Sequence, residues 1–311
     1  MTSLILDRRS LLAGMAATAA LPSLAAAAPN APASFLVVGD WGRDGAQHQR
    51  DVAVQMGKLA QAQRSRFVVS VGDNFYDNGV QSVSDPQWQS SYEQVYTDPA
   101  LQVPWYVALG NHDYRGNPQA QLDYARTSPR WHMPQRYYQV SGAQAGAAQI
   151  DLFVIDTSPT VHKYRDKVDS VIARNIATQD VGAQLAWLDK ALAASTARWK
   201  LVIGHHTIRS GGSGHGETPE MVEQVLPILQ RRGVTAYIFG HDHDLQHIAR
   251  DGLHYIGCGG GSEVRPVAKV EGTRFCAERS GFAAMTVGAS GLSLEFTDYT
   301  GASLYRSMIA S

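Results

Sequence analysis

The sequence predicts an α/β fold built on strands buried on both faces, with a second sheet packed on the first. Short, continuous apolar runs recur through the first 240 residues. Between several of them lie stretches whose apolar residues fall three and four apart, the helical period. From His254 onward, short β-like pieces follow one another with no helical pattern between them, which calls for a second sheet.

Taken in order, Phe35-Leu36-Val37-Val38 is the first strand, apolar at every position as a strand covered on both faces must be. Gln47 to Ala62 is a helix, with Val52, Met56, Leu59 and Ala60 on one side. Strands follow at Phe67 to Val71, Trp105 to Leu109 and Leu152 to Ile155. A helix over Gln184 to Ala194 places Leu185, Leu188 and Leu192 together, and Leu201 to Ile203 is the next strand. Glu220 to Arg231 is helical, with Met221, Val225 and Leu229 aligned, and Ala236 to Phe239 is a strand. His254 to Ile256, Ala283 to Val287 and Leu292 to Phe296 complete the β pieces. Thr157 to Val181 is a long mixed connection carrying His162, Lys163, Arg165, Asp166 and Lys167. Connections of this length are commonly functional, and the sequence leaves open whether this one is a lid or a solvated insertion.

The 311 residues carry 27 basic and 28 acidic side chains, so nothing in the balance points to a polyanion, and nucleic acid is not expected as a main partner. Asp7-Arg8-Arg9-Ser10-Leu11-Leu12 opens an Ala-rich segment ending at Ala25 to Ala28, the pattern of a twin-arginine leader over residues 1–28 cleaved near Ala27 or Ala28. Pro22 interrupts it, so a stable membrane anchor is not expected. The implied partner is the bacterial twin-arginine export machinery, and the implied location is periplasmic or secreted. Cys258 and Cys276 lack the spacing of a thiolate metal site, and the sequence leaves open whether they form a disulfide or stay apart.

Five short motifs each follow an apolar run: Gly39-Asp40-Trp41-Gly42, Gly72-Asp73-Asn74-Phe75-Tyr76, Gly110-Asn111-His112-Asp113, Gly204-His205 and Gly240-His241-Asp242-His243. Side chains leaving the carboxyl ends of strands converge in an α/β sheet, so motifs far apart in sequence form one site. The glycine before each ligand suits a tight exit turn. Singly the motifs read as turns and caps; as an ordered set they supply oxygen and nitrogen ligands for two metal ions.

That ordered quintet resembles the metallophosphoesterases, and Tyr76, three residues after Asp73, is similar within them to the purple acid phosphatases of the small, mammalian, tartrate-resistant type. The resemblance spans Phe35 to Tyr305. It implies a two-sheet β-sandwich flanked by helices, with residues 29–311 as a single catalytic domain. It further implies that Asp40, Tyr76 and His243 bind one metal, that Asn111, His205 and His241 bind the other, and that Asp73 bridges them. The donor chemistry agrees: carboxylate and phenolate are hard anions suited to Fe(III), and imidazoles with an amide oxygen suit a divalent Fe, Zn or Mn ion.

The expected reaction is hydrolysis of a phosphate monoester by metal-activated hydroxide, an exported acid phosphatase activity. His112 is the expected proton donor to the leaving group, with His215 in the glycine-rich run Gly211 to Glu217 next and His206 after it. Asp113 is expected to orient His112 through a hydrogen bond. Trp41 is expected beside the metals, and His48, His132, His162, His247 and His254 lack ligand-like spacing. A phosphodiesterase or nucleotide hydrolase shares most of these ligands, but Tyr76 argues against it. A phosphate-binding protein with an inactive site would be expected to lack a ligand or proton donor, and none is missing.

Overall fold

A computed structural model describes residues 32–288 and 290–309. The leader predicted over residues 1–28 lies outside the described residues. Fourteen strands among the described residues form two seven-stranded sheets, with helices on the outer faces.

The first sheet is centred on β1 (Ala33–Val38), β2 (Val68–Ser70) and β3 (Trp105–Val107), which run parallel. The short β4 (Trp131–His132) closes one edge. Beyond β1 come β12 (Gly281–Gly288), β13 (Gly291–Asp298) and β14 (Ser303–Ile309), all antiparallel. The second sheet has β6 (Ile150–Val154), β7 (Trp199–Ile203) and β8 (Ala236–Phe239) parallel at its centre. It is extended by β5 (Tyr138–Val140) on one side and by β10 (Leu253–Cys258), β9 (Leu245–Arg250) and β11 (Thr273–Ala277) on the other.

The division differs from the one expected of the C-terminal segment. That segment does not form a sheet of its own; β9–β11 complete one sheet and β12–β14 the other. Each half of the chain therefore contributes to both layers. The alternation along β6–β8 shows why their sequences read as unbroken apolar runs. Leu152, Val154, Leu201, Ile203, Ala236 and Ile238 face the core between the sheets. Phe153, Val202, Tyr237 and Phe239 face outward onto Leu188, Leu192 and Leu229 of the covering helices.

The helix α1 (Gln49–Gln63) starts two residues later than its pattern suggests, because Gln47 and His48 have φ of 49° and 66° and cannot continue a right-handed turn. Beyond α2 (Pro118–Tyr124), the connection expected as a long loop contains two short helices, α3 (His162–Asp166) and α4 (Val171–Ile176). The predicted helix over 184–194 begins earlier, as α5 (Val181–Ala194), because the Asp180 carboxylate caps the Ala183 amide. The predicted helix from Glu220 opens with a wide turn over Met221–Val225 before α6 (Leu226–Arg231). Pro227 has no N–H and crowds the carbonyl four residues before it, which a wide turn relieves.

Cys258 on β10 pairs with Leu245 of β9, and Cys276 on β11 pairs with the neighbouring Gln246 of β9. The two thiols thus stand two strand spacings apart, about 10 Å, beyond disulfide reach. Both are free.

Candidate metal centre

The register Leu36↔Val68, Val37↔Val69, Val38↔Ser70 and Ser70↔Val107 brings the carboxyl ends of β1, β2 and β3 to one edge of the first sheet. Ile203↔Ile238 does the same for β7 and β8 in the second. The turns leaving these five strands carry the five motifs. Asp40, Asp73, Tyr76 and Asn111 therefore come from one sheet and His205, His241 and His243 from the other, meeting over the seam.

All seven groups converge and all are buried. The Tyr76 hydroxyl lies 2.9 Å from Asp40 Oδ1, 3.0 Å from Asp73 Oδ2 and 3.0 Å from His243 Nε2. His243 Nε2 is also 3.4 Å from Asp40 Oδ1. On the other side, His205 Nε2 stands 3.3 Å from Asp73 Oδ2, 3.3 Å from Asn111 Oδ1 and 3.2 Å from His241 Nδ1. Asp73 Oδ2 belongs to both groupings. Donor atoms spaced this way match the edges of a coordination polyhedron, since ligands about 2.1 Å from an octahedral ion are about 3 Å from each other. One imidazole nitrogen facing a carboxylate, an amide oxygen and a second imidazole cannot satisfy all three by hydrogen bonding. Asp73, His205 and His241 together form a buried group able to hold a metal ion.

The electrostatics point the same way. Burial would raise the Asp73 carboxyl, but the charges of His205 and His112 outweigh it and hold it far below the usual range. Burial would lower His205, yet the charges of Asp73 and Asp40 push it up to about 9. Tyr76 is driven well above its ordinary value by burial and then by Asp40 and Asp73. Buried carboxylates packed against a phenol require positive charge, and cations meet that need.

Local backbone makes the convergence possible in a way the sequence misattributed. Among the five glycines before the ligands, only Gly72 has positive φ; the strained residues are the ligands Asp40, Asp73 and His241, at 58°, 50° and 70°. Gly110 and Gly240 serve close approach instead. A Cβ on Gly110 would meet Asp73 Oδ1 at 2.2 Å, and one on Gly240 would meet Asp40 Oδ2 at 2.2 Å. At Gly110 the turns after neighbouring β2 and β3 touch, and at Gly240 a turn of one sheet touches a turn of the other, so no side chain fits.

Asp113 does not orient His112, contrary to expectation. Its buried carboxylate accepts from the amides of Asn74, Phe75 and Gly110 and from the side chains of Asn74 and Gln121, tying the Asp73 turn to the Asn111 turn. His112 is oriented by its Nδ1, 2.7 Å from the Asp77 carbonyl, which it meets as a donor. Its amide donates to Asp73 Oδ1 at 2.7 Å. His206 lies inside the wall, with Nδ1 at Thr157 Oγ1 and Nε2 at the Tyr164 hydroxyl, so no nitrogen is left to serve a leaving group. His215 stacks on His241 at 3.8 Å and has the Arg265 guanidinium 3.3 Å from Nε2, where the imidazole accepts; burial and then the Lys163 charge push its pKa down to about 4. Its loop is held by Asp242, which accepts from Ser210 and from the amides of His215 and Gly216. Trp41 points away from the centre into an aromatic core with Phe75, Tyr96, Trp105 and Trp131, donating to Ser70.

A cavity of about 700 Å³ opens above the cluster. Asp73, Asn111, His112, His215, His241 and His243 form its floor, and Arg115, Lys163, Lys167 and Arg265 stand in its walls. The two arginines were missed in the sequence because neither sits in a motif. Beneath, Arg43 lies over the Tyr76 ring at 3.9 Å and pairs with Glu263 at 2.7 Å.

Residues 33–245 match the calcineurin-like phosphoesterase family. The chain is 41% identical over 283 residues to purple acid phosphatase 3 of Arabidopsis thaliana, covering 86% of this chain and 75% of that one. It belongs to the purple acid phosphatases. To the tartrate-resistant acid phosphatase type 5 of Rattus norvegicus the identity is 34%, over 93% of this phosphatase and 94% of that protein. Among solved structures, the Plasmodium inner-membrane-complex anchor GAP50 superposes with a TM-score of 0.76 at 25% identity, covering 90% of this chain and 89% of its own. A purple acid phosphatase from yellow lupin seeds superposes at 0.67 and shares the fold, covering 90% of this chain and 54% of its own. The phosphatase is thus a metal-dependent acid phosphatase, a phosphoric monoester hydrolase with a dinuclear metal centre. One fold here serves a named anchor as well as enzymes, so the activity is carried by the site and not by the sandwich.

Proposed function

We propose that residues 29–311 form one catalytic domain in which Asp40, Tyr76 and His243 hold Fe(III), Asn111, His205 and His241 hold a divalent Fe, Zn or Mn ion, and Asp73 bridges them. The observation that carries this is the position of the Tyr76 hydroxyl, within 3.0 Å of Asp40, Asp73 and His243 at once. When bound, two such ions supply charge neutralisation for a phosphoryl group and an acidified water as nucleophile. The chain's own residues do the rest. The floor of the cavity fixes the phosphate over Asp73, and the cationic walls face it. His112, anchored at Nδ1 by the Asp77 carbonyl, keeps Nε2 for the leaving-group oxygen. His215 accepts from Arg265 and sits over His241, which suits it to positioning rather than to proton donation. Hydrolysis in mildly acidic solution follows from this donor set.

The test is metal analysis with an absorption spectrum on protein hydrolysing p-nitrophenyl phosphate between pH 4 and 8. Iron with a second metal, a visible phenolate band and monoester turnover are expected. A colourless, iron-free protein would overturn the ligand assignment, and preference for diesters would overturn the substrate class. We also read residues 1–28 as a twin-arginine leader directing the enzyme to the periplasm or beyond. No helix among the described residues is long and apolar enough to cross a membrane. Arg8→Lys with Arg9→Lys should trap activity in the cytoplasm, and unchanged fractionation would refute that route.

A further inference from the structure

The cavity carries more positive charge than one phosphoryl group over the metal centre uses. Arg115, Lys163, Lys167 and Arg265 all line it. None has a carboxylate within ion-pair distance among the described residues, whereas Arg130 pairs with Glu93, Arg209 with Glu217 and Asp251, and Arg43 with Glu263. Arg115 reaches the Asp77 carbonyl and Arg265 reaches His215. Lys163 lies on α3 and Lys167 at its C-terminal end, four positions along, the separation that sets two side chains over the same helix face. Lys163 lies against the Tyr164 ring, and its charge is felt at His206, His215 and His241. Glu220, whose charge is felt at Lys163, accepts from the His162 amide at 2.8 Å and lies 3.5 Å from the His162 ring.

Unmatched cations gathered in one concavity focus a positive field on whatever enters it. The volume suits a small molecule. We infer that the α3 wall, through Lys163 and Lys167, is a second anion subsite that receives the distal phosphate of a small bisphosphorylated substrate while its other phosphate lies over Asp73. The inference rests on the acid phosphatase reading above and adds the substrate class to it. Hydrolysis is unchanged by the subsite: water attacks one phosphorus, the P–O ester bond breaks, and the alcohol oxygen leaves with a proton. The released alcohol still carries the second phosphate.

The test uses the metal-loaded enzyme and two substrates that each release a primary alcohol, propane-1,3-diol bisphosphate and propyl phosphate, at fixed ionic strength, with p-nitrophenyl phosphate as reference. The wild-type kcat/KM should favour the bisphosphate by about tenfold, well above the twofold expected from two equivalent phosphates. Lys163→Ala with Lys167→Ala should bring the ratio down to about two through KM, and Lys163→Arg with Lys167→Arg should keep it. A wild-type ratio near two would overturn the subsite, as would a high ratio that survives the double alanine variant. Loss of p-nitrophenyl phosphate turnover in the wild type would instead mark failure of the phosphatase reading itself. A melting temperature for each variant separates loss of the subsite from loss of the fold.

Discussion

Tyr76 and Asp113 behave oppositely on substitution, although both are buried next to the same carboxylate. Tyr76 contributes one oxygen that three ligand groups surround, and removing it deletes a donor while leaving the packing ring in place. Tyr76→Phe should therefore abolish visible absorption of the purified protein with little loss of stability, and retained colour would exclude it as the chromophore. Asp113 contributes no exposed atom; it terminates four donors from two turns and a fifth from Gln121 of α2. Asp113→Ala takes the acceptor from the buried amides of Asn74, Phe75 and Gly110 and should cost about 3 kcal/mol in urea unfolding. A loss below about 1 kcal/mol would mean that the two turns hold without it. The convergence of these seven side chains was legible in the sequence because metal chemistry restricts residue types so sharply that seven of them in strand-end positions point to one another. Asp113 was not, since an Asp following Asn-His is equally suited to capping, to orienting a histidine or to tying two loops, and only the contacts distinguish these. Trp41 was misplaced for a related reason. Its neighbour Asp40 faces the centre, and the positive φ at Asp40 turns the next side chain down into the aromatic core.

At the scale of elements, strand and helix positions followed from periodicity, but the partners of each strand did not, because pairing is set by contacts between residues far apart in sequence. The cysteines are an instance. Their separation is fixed by β9 running between β10 and β11, which no spacing rule reveals. A thiol titration should find one reactive group in the native protein, Cys276, and two after denaturation, since Cys258 is buried. Finding none after denaturation without reductant would mean a disulfide had formed. The connection after β6 offers a second test. Asp156, completely buried, accepts from the Tyr114 hydroxyl, and Asn175 of α4 donates to the carbonyls of Tyr114 and Gly116. The wall of the cavity is thereby fastened to the Asn111 turn. Burial raises the Asp156 carboxyl to about 6, above its ordinary 3.8, despite the opposing hydrogen bond from Tyr114. A folded value above the unfolded one means the native state binds the extra proton, so this group's contribution is favourable at low pH and is lost as pH rises from about 4 to about 6. The loss amounts to about 3 kcal/mol. Asp156→Asn should gain that much on the wild type between pH 4 and pH 7 in urea unfolding, and a constant difference across that range would refute the shift.

The two sheets share an apolar core and meet again at the metal centre on their common edge. Four of the converging side chains hang from the first sheet and three from the second, and they bring two carboxylates and a phenol into a buried place. Without cations these groups repel or demand protons, as the upward shifts of both His205 and Tyr76 display. Cations held between turns of both sheets would tie one sheet to the other, so binding is available only to the assembled sandwich. The α/β class and the presence of a second sheet were legible, whereas the partition of the C-terminal strands between both layers was not, because either partition buries the same apolar runs. That partition decides how strongly the centre couples to the fold: β12–β14 brace the sheet bearing Asp40, and β9–β11 brace the one bearing His241. Ligand binding confined to the native state stabilises by RT ln(1 + [L]/Kd), about 4 kcal/mol when free metal stands a thousandfold above Kd. Stripping the ions with a chelator should therefore lower the melting temperature by roughly 10 °C, and restoring them should return it along with the colour. Asp73→Asn, which keeps the shape but weakens the shared ligand, should melt near the stripped wild type and respond little to added metal. An unchanged melting temperature on stripping would mean that the sheets are held by their apolar core alone and that the centre rides on the seam without fastening it.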